Sequence, residues 1–373
     1  MSEVVDLTKA LVRLDTINPP GQEAEAAELV AGRLEAAGLE VARHELAPGR
    51  PTLVARLEGG GDRLPLCMTG HLDTVPLGMA EWSRDAFAGE TDGDRLYGRG
   101  TTDMKGGVAA IVVAAERLAT LGRAEGGLEL VICAGEETGC EGALQVARSD
   151  GALGRAGAEL VAEPTLNYPC VAHKGVVWMT ARTSGRSAHG SMPELGDNAV
   201  YKLARAVGRL EQFRFDYPPD DLLGDPTLSV GTIEGGVKVN VVPDFACATV
   251  DVRTVPGLEH DDVVAALRAE MGDEVVLEAW VALPPVVTDP GEAWVGEVFE
   301  QMEPLIGERP EPRGLAYFTD ASALTPAYGG VPTIVCGPGD PGQAHQTDEH
   351  CSLALLEAAA EGFFEIGRRW CRL

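Results

Sequence analysis

Positive charge is scarce in this 373-residue chain: 30 Lys and Arg stand against 58 Asp and Glu, a formal net charge of −28 and a pI near 4.5. Lysine is the rarer cation, at five residues: Lys9, Lys105, Lys174, Lys202 and Lys238. Nucleic-acid affinity comes largely from Lys and Arg displacing counterions, so a phosphate-backbone binder is excluded, and anionic membranes are equally poor partners. Two origins fit this balance, a genome bias toward Arg, Ala and Gly and a salt-adapted acidic surface. Paired cysteines are missing too. The eight cysteines contain no C-x-x-C, and several lie in apolar strand-like runs such as 130–134, as buried thiols in a reducing compartment do. Long apolar stretches are absent: the longest clean run, 108–115, ends at Glu116, far short of the ~20 residues that span a bilayer. The first residues carry acids early and lack a signal-peptide apolar core, so a soluble, cytoplasmic protein is expected. Repeats and low-complexity tracts are also lacking. What is present is an ordinary globular composition, 45% hydrophobic and 24% charged, with length for roughly two domains.

Apolar spacing predicts helices over 4–14 and 23–37, the second stopped by Gly38, with Asn18-Pro19-Pro20-Gly21 as the loop between them. Strand-like runs at 39–43, 53–57, 64–69, 128–134 and 160–162 accompany a helix at 105–121, which indicates a sheet covered by helices. After Pro164 the order becomes strand 176–183, helix 199–213, strands 227–233 and 245–252, helix 261–271 and strand 275–281. That β-α-β-β-α-β order is the split arrangement of a ferredoxin-like domain. A Pro-rich return linker at 283–291 leads to a helix at 293–306, a strand at 331–336 and a final helix at 352–368. The expected fold is α/β: a helix-covered mixed sheet built from 1–171 and 285–373, interrupted by an inserted α+β domain at 172–284.

Acids and histidines recur where apolar strands end. GHLDTVP (70–76) follows such a strand, and alternation turns His71 and Asp73 the same way, one able to bind a metal and the other to orient it. Alone, H-x-D is a common chance pattern. YGRGTTDMKGG (97–107) has Asp103 where a dinucleotide loop needs its third Gly, and no strand of the required kind leads into it, which excludes a nucleotide site. Asp103 fits a helix cap, a metal ligand or both. GEETG (135–139) follows the buried strand 128–134; adjacent side chains diverge, so one of Glu136 and Glu137 can ligate a cation while the other takes a proton, a solvated turn being the plain alternative. Glu163-Pro164 ends another strand, and His345, with His350 as a competitor, follows the strand at 331–336. Ligands in open α/β sheets bind at the carboxyl ends of strands, so these side chains can converge. Two His and several carboxylates there match a site for two divalent metals, with Asp103 bridging and mixed N/O donors suiting Zn²⁺.

The motifs GHLDTVP, GRGTTDMKGG (98–107), GEETG, EP (163–164), GRSAHGSMPELGDNA (185–199) and AHQTDE (344–349) together resemble a known family, in its order and over nearly the whole chain. It is the zinc metallopeptidase and deacylase family that includes acetylornithine deacetylase, succinyl-diaminopimelate desuccinylase, aminoacylase and glutamate carboxypeptidase. The resemblance implies two Zn²⁺ per subunit, with Co²⁺ able to substitute: one held by His71, Glu163 and the bridging Asp103, the other by Glu137, His345 and Asp103. It implies Glu136 as general base, Asp73 orienting His71, and a cis peptide between Asp103 and Met104. It makes 172–284 a lid and dimerisation domain, whose His189 reaches across a homodimer to stabilise the oxyanion.

Arg253 and Asn240 match the family's substrate-binding pair, Arg being suited to bidentate recognition of a carboxylate; an ordinary strand salt bridge is the plain alternative. Thr319 is placed near the substrate, with a helix start as the alternative. The implied activity is removal of the acyl group from an N-acyl amino acid in amino-acid metabolism, or, as the second reading, cleavage by a dipeptidase or carboxypeptidase. A catalytically silent scaffold is disfavoured because every matching position is filled. A two-metal phosphatase is disfavoured because phosphate handling recruits more local Arg and Lys.

Overall fold

A computed structural model describes residues 2–122 and 124–373. They form two compact units, one made of the described residues up to Ala172 with Val287–Gly314 and Thr319–Leu373, the other of His173–Val286 and Leu315–Phe318. Residues 315–318 are expected in the first unit from the sequence. Packing assigns them to the second, because the Phe318 ring lies edge-on to Trp178 at 5.5 Å and beneath the Arg253 guanidinium at 5.1 Å.

The first unit is built on a six-stranded sheet in the order Glu40–Glu45, Pro51–Leu57, Leu128–Cys133, Leu66–His71, Ala158–Val161, Thr333–Val335. The first two strands run antiparallel to their neighbours, and the last four run parallel, with Met68 opposite both Leu130 and Leu160. Every residue of Leu66–His71 and Leu128–Cys133 is buried, which is why these strands read as continuous apolar runs and do not alternate. Helix Gly106–Thr120 packs on Leu353–Cys371 and Glu3–Val12. Its start comes so close to the sheet that a Cβ on Gly107 would lie 2.1 Å from the Ala162 carbonyl oxygen, which requires glycine there.

Several elements escaped the periodicity. The hairpin Thr91–Asp92 with Arg95–Tyr97 is short and mostly exposed, and helix Ala321–Ala327 contains Pro326, which reads as a breaker. Helix Glu141–Arg148 spans barely two turns.

In the second unit, four antiparallel strands follow the order Thr227–Gly235, Phe245–Thr254, Gly175–Ser184, Val275–Leu283. Helices Ala199–Gln212 and His260–Met271 bury their apolar stripes against one face, where Val177, Met179, Ala248, Val250 and Val252 meet Leu203, Leu210, Val263 and Leu267. The helix Ala199–Gln212 is capped by Asn198, whose side chain accepts a hydrogen bond from the Tyr201 amide at 3.2 Å. All eight cysteines are free thiols, seven buried and Cys247 half-buried. Among the described residues, no helix is long and apolar enough to cross a membrane.

Candidate metal centre

Parallel pairing brings four strand ends to one edge of the sheet. His71 closes Leu66–His71, Glu136 and Glu137 lie in the turn after Leu128–Cys133, Glu163 follows Ala158–Val161, and His345 lies in the long loop after Thr333–Val335. Asp103 comes from a turn over Thr101–Lys105 that precedes helix Gly106–Thr120, and its peptide bond to Met104 is cis. Its side chain does not cap that helix.

Two triads share Asp103. In one, His71 Nε2 is 3.1 Å from Asp103 Oδ1 and 3.6 Å from Glu163 Oε1; in the other, His345 Nε2 is 3.3 Å from Asp103 Oδ2 and 3.2 Å from Glu137 Oε1. The donor atoms of each triad all lie within 4.8 Å of one another. Three protein donors with mixed imidazole and carboxylate chemistry fit a divalent cation of the zinc type and keep a coordination position for water or substrate. The ring orientation fits as well: His71 Nδ1 donates to the Asp73 carbonyl at 2.9 Å, so Nε2, which faces Asp103 and Glu163, is the nitrogen that can ligate a cation. His350 joins neither triad; its ring stacks against Tyr97 at 5.1 Å.

Electrostatics point the same way. Burial pushes the Glu136 and Glu163 carboxyls well above the usual carboxylate range, and neighbouring acids push further, outweighing the opposite pull of His71. Hydrogen bonds to Asp103 and Glu137 raise His345 to about 10. Burial opposes a charged His71, but Asp103 and Asp73 overcome it and raise the ring well above its ordinary value. So many converging carboxyl groups form a place where bound cations would offset their charge.

The Asp73 carboxylate contacts more than the imidazole it was expected to orient. Its Oδ1 is 3.5 Å from His71 Nδ1, and the backbone carbonyl makes the shorter bond. The carboxylate also accepts the backbone N–H groups of Glu136 at 3.1 Å and Glu137 at 3.2 Å and the Asn18 amide at 2.9 Å. Burial would raise this carboxyl, but these donors and His71 hold it below the usual range.

Two residues to which the motifs assign no role, Glu349 and Asp320, stand beside these groups. Glu349 is fully buried and accepts Arg99 at 2.6 Å and the backbone amides of Gly100, Thr102 and Asp103 at 3.1, 2.8 and 3.2 Å, tying the turn that carries Asp103 to the segment that carries His345. The signal was its place four residues after His345 in AHQTDE. Removing it strands the buried Arg99, so Glu349→Ala should cost about 3–5 kcal/mol in denaturant unfolding; a loss under about 1 kcal/mol, the worth of a surface pair, would contradict the clamp. Asp320 is 1% exposed, neither of its carboxylate oxygens has a hydrogen-bond partner among the described residues, and burial raises it to about 6. Thr319 precedes it, is buried, and accepts the Ala321 amide at 3.1 Å at the start of helix Ala321–Ala327.

The second unit carries the other expected residues. His189 is exposed, its Nδ1 2.7 Å from Ser191 Oγ, and its backbone bridges to Val241, next to the exposed Asn240. Arg253 does form a strand salt bridge, Nε and Nη2 to Asp251 at 2.8 and 2.9 Å, while Nη1 is buried without a hydrogen-bond partner among the described residues.

Comparison with known proteins agrees with this geometry. A model of peptidase family M20/M25/M40 matches residues 67–368. The acetylornithine deacetylase of Proteus mirabilis is 31% identical over 360 residues, covering 92% of this chain and 89% of that protein. That of Myxococcus xanthus is 33% identical over 352 residues, covering 88% of this chain and 89% of the relative. In fold, an M20 family metallo-carboxypeptidase from Sulfolobus solfataricus superposes with a TM-score of 0.85 at 18% identity over 100% of both chains. A Bacillus subtilis protein described as a dinuclear metal-binding peptidase of the M20 family gives 0.71 at 15% identity, over 99% of this chain and 98% of that one. A family match over most of the chain, with relatives above 30% identity along almost its full length, means that the protein belongs to peptidase family M20/M25/M40 and is a hydrolase of amide bonds.

Proposed function

We propose that this hydrolase removes the acyl group from N-acyl amino acids, using two divalent cations, zinc in the first instance, held by His71, Asp103 and Glu163 and by Asp103, Glu137 and His345. The observation that carries the reading is the pair of triads sharing Asp103. The substrate class is supported by the relatives named acetylornithine deacetylase.

Cations bound there supply Lewis acidity to an amide carbonyl and make a water easier to deprotonate. The chain's own groups handle protons and position. Glu136, outside both triads and 6% exposed, takes a proton from water as its oxygen bonds to the carbonyl carbon. It then gives that proton to the amide nitrogen as the C–N bond breaks, which releases a carboxylic acid and an amine. His189 of a second copy hydrogen-bonds the oxyanion. The end of Arg253 bearing the unpartnered Nη1 pairs with the substrate carboxylate, and Asn240 and Thr319 contact the rest of the substrate.

The second unit, His173–Val286 with Leu315–Phe318, serves as lid and dimerisation surface. Its edge strand Thr227–Gly235 pairs on one side only, and Ile233, Val237 and Val239 are 55%, 87% and 101% exposed. An unpaired edge with bare apolar side chains is what a second copy covers. A cytoplasmic setting agrees with eight free thiols.

The test is a panel of N-acetylornithine, N-succinyl-diaminopimelate and simple dipeptides against zinc- and cobalt-loaded protein, with metal content measured alongside. Preferred turnover of the dipeptides would replace deacylation with peptidase activity. His189→Ala should lower kcat by about 10²–10³-fold, the size of one oxyanion donor, with metal content unchanged. A strict monomer by sedimentation that retains full activity would remove the shared-site arrangement.

A further inference from the structure

The loop Asn18-Pro19-Pro20-Gly21 has so far been only a connection between two helices. Asn18 is 4% exposed, and its side-chain amide donates two hydrogen bonds, to Asp73 Oδ2 at 2.9 Å and to Thr138 Oγ1 at 3.0 Å. Its backbone is fixed alongside the segment that follows His71: the Asn18 amide donates to the Thr74 carbonyl at 2.8 Å, the Thr74 amide to the Thr16 carbonyl at 3.0 Å, and Thr16 Oγ1 to the Leu72 carbonyl at 2.7 Å. Thr138 in turn donates to Glu141 Oε2 at 2.8 Å, and Arg50 joins Glu141 at 3.1 Å to the buried Glu23, also at 3.1 Å.

The turn bearing Glu136 and Glu137 is therefore held at both ends by one side chain. Asp73 grips its first two amides, and Asn18 grips both Asp73 and the hydroxyl of Thr138. An amide suits this place because its two N–H groups can reach two acceptors at once, whereas a carboxylate there would face Asp73 with like charge. We infer that Asn18 is a positioning residue of the hydrolytic site: through Asp73 and Thr138 it fixes the turn that carries the proton-transferring Glu136 and the ligand Glu137. This rests on the reading of Glu136 as general base.

Partners behind a metal site or a catalytic group typically contribute about 10–100-fold to affinity or activity. Asn18→Ala should lower kcat toward N-acetylornithine by that factor while KM stays within about twofold, the signature of lost transition-state positioning. Thr138→Val should act in the same direction and Thr138→Ser, which keeps the hydroxyl, should not. The double variant Asn18→Ala with Thr138→Val should be no worse than Asn18→Ala alone, because the two act as one unit. Independently of activity, amide hydrogen exchange of the metal-free protein should show lost protection at Glu136 and Glu137 in Asn18→Ala and in Thr138→Val, with thermal midpoint and metal stoichiometry near wild type.

If Asn18→Ala does not fold, the Thr138 pair decides alone. Wild-type kcat and unchanged exchange in Thr138→Val would overturn the inference, as would a loss in Asn18→Ala matched by equal loss of metal. Full activity in Glu136→Gln would instead overturn the base assignment and leave the exchange result to report on Asn18 separately.

Discussion

Glu136→Gln should keep two metals per chain by elemental analysis and lose about 10²–10⁴-fold in kcat, the usual worth of a positioned general acid–base group. Glu136 belongs to neither triad, so its loss spares the donors that hold cations. Its carboxyl is buried, and in the metal-free protein burial, then Glu163 and Glu137, push it above the usual range against the pull of His71. Gln preserves shape and hydrogen bonding while removing the capacity to take a proton. Activity within a few-fold of wild type would remove Glu136 from the mechanism, and a matching loss of metal would make it a ligand.

Asp103→Ala should do more damage than any other single change at the centre. Its two carboxylate oxygens face different triads, Oδ1 toward His71 and Oδ2 toward His345, so the substitution breaks both groups together. Metal content after dialysis should fall well below that of Glu163→Ala or Glu137→Ala, each of which disrupts one triad, and hydrolysis should fall to background. A second readout avoids activity altogether. In the metal-free protein His345 is raised to about 10, with Asp103 the leading cause and Glu137 the next. Asp103→Asn removes the leading charge, so the His345 ring should titrate at a lower pH by NMR, shifted toward its ordinary value. An unshifted ring, or retention of two metals in Asp103→Ala, would show that Asp103 does not bridge.

Much of this was legible in the chain because the first unit's central strands are buried on both faces, so apolar runs mark them and polar residues at their ends stand out. The same logic made the second unit readable through alternation and two amphipathic helices. Less visible were residues whose role depends on a partner far along the chain. Glu349 reads as one more acid in an acidic protein until it meets Arg99 and the turn at 100–103. Asp320 reads as a helix start, and its burial without a hydrogen-bond partner among the described residues distinguishes it. Asp73 keeps its carboxylate 3.5 Å from the His71 ring, but the closer contact from its carbonyl and the bonds from the carboxylate to the Glu136 turn were not visible in the motif.

By itself the sequence determined which residue types arrive at the ends of which strands, since that depends on local hydrophobic patterning and on neighbours in the chain. It also determined the acidity that makes nucleic acid and anionic membranes poor partners. Tertiary structure alone decided which of those carboxylates face each other, which of Asp73's groups points at His71, and that Asn18 closes the turn after Leu128–Cys133. The reason is geometric: parallel strand order and side-chain direction set distances of about 3 Å between residues scores of positions apart, and hydrogen bonds form or fail at that scale.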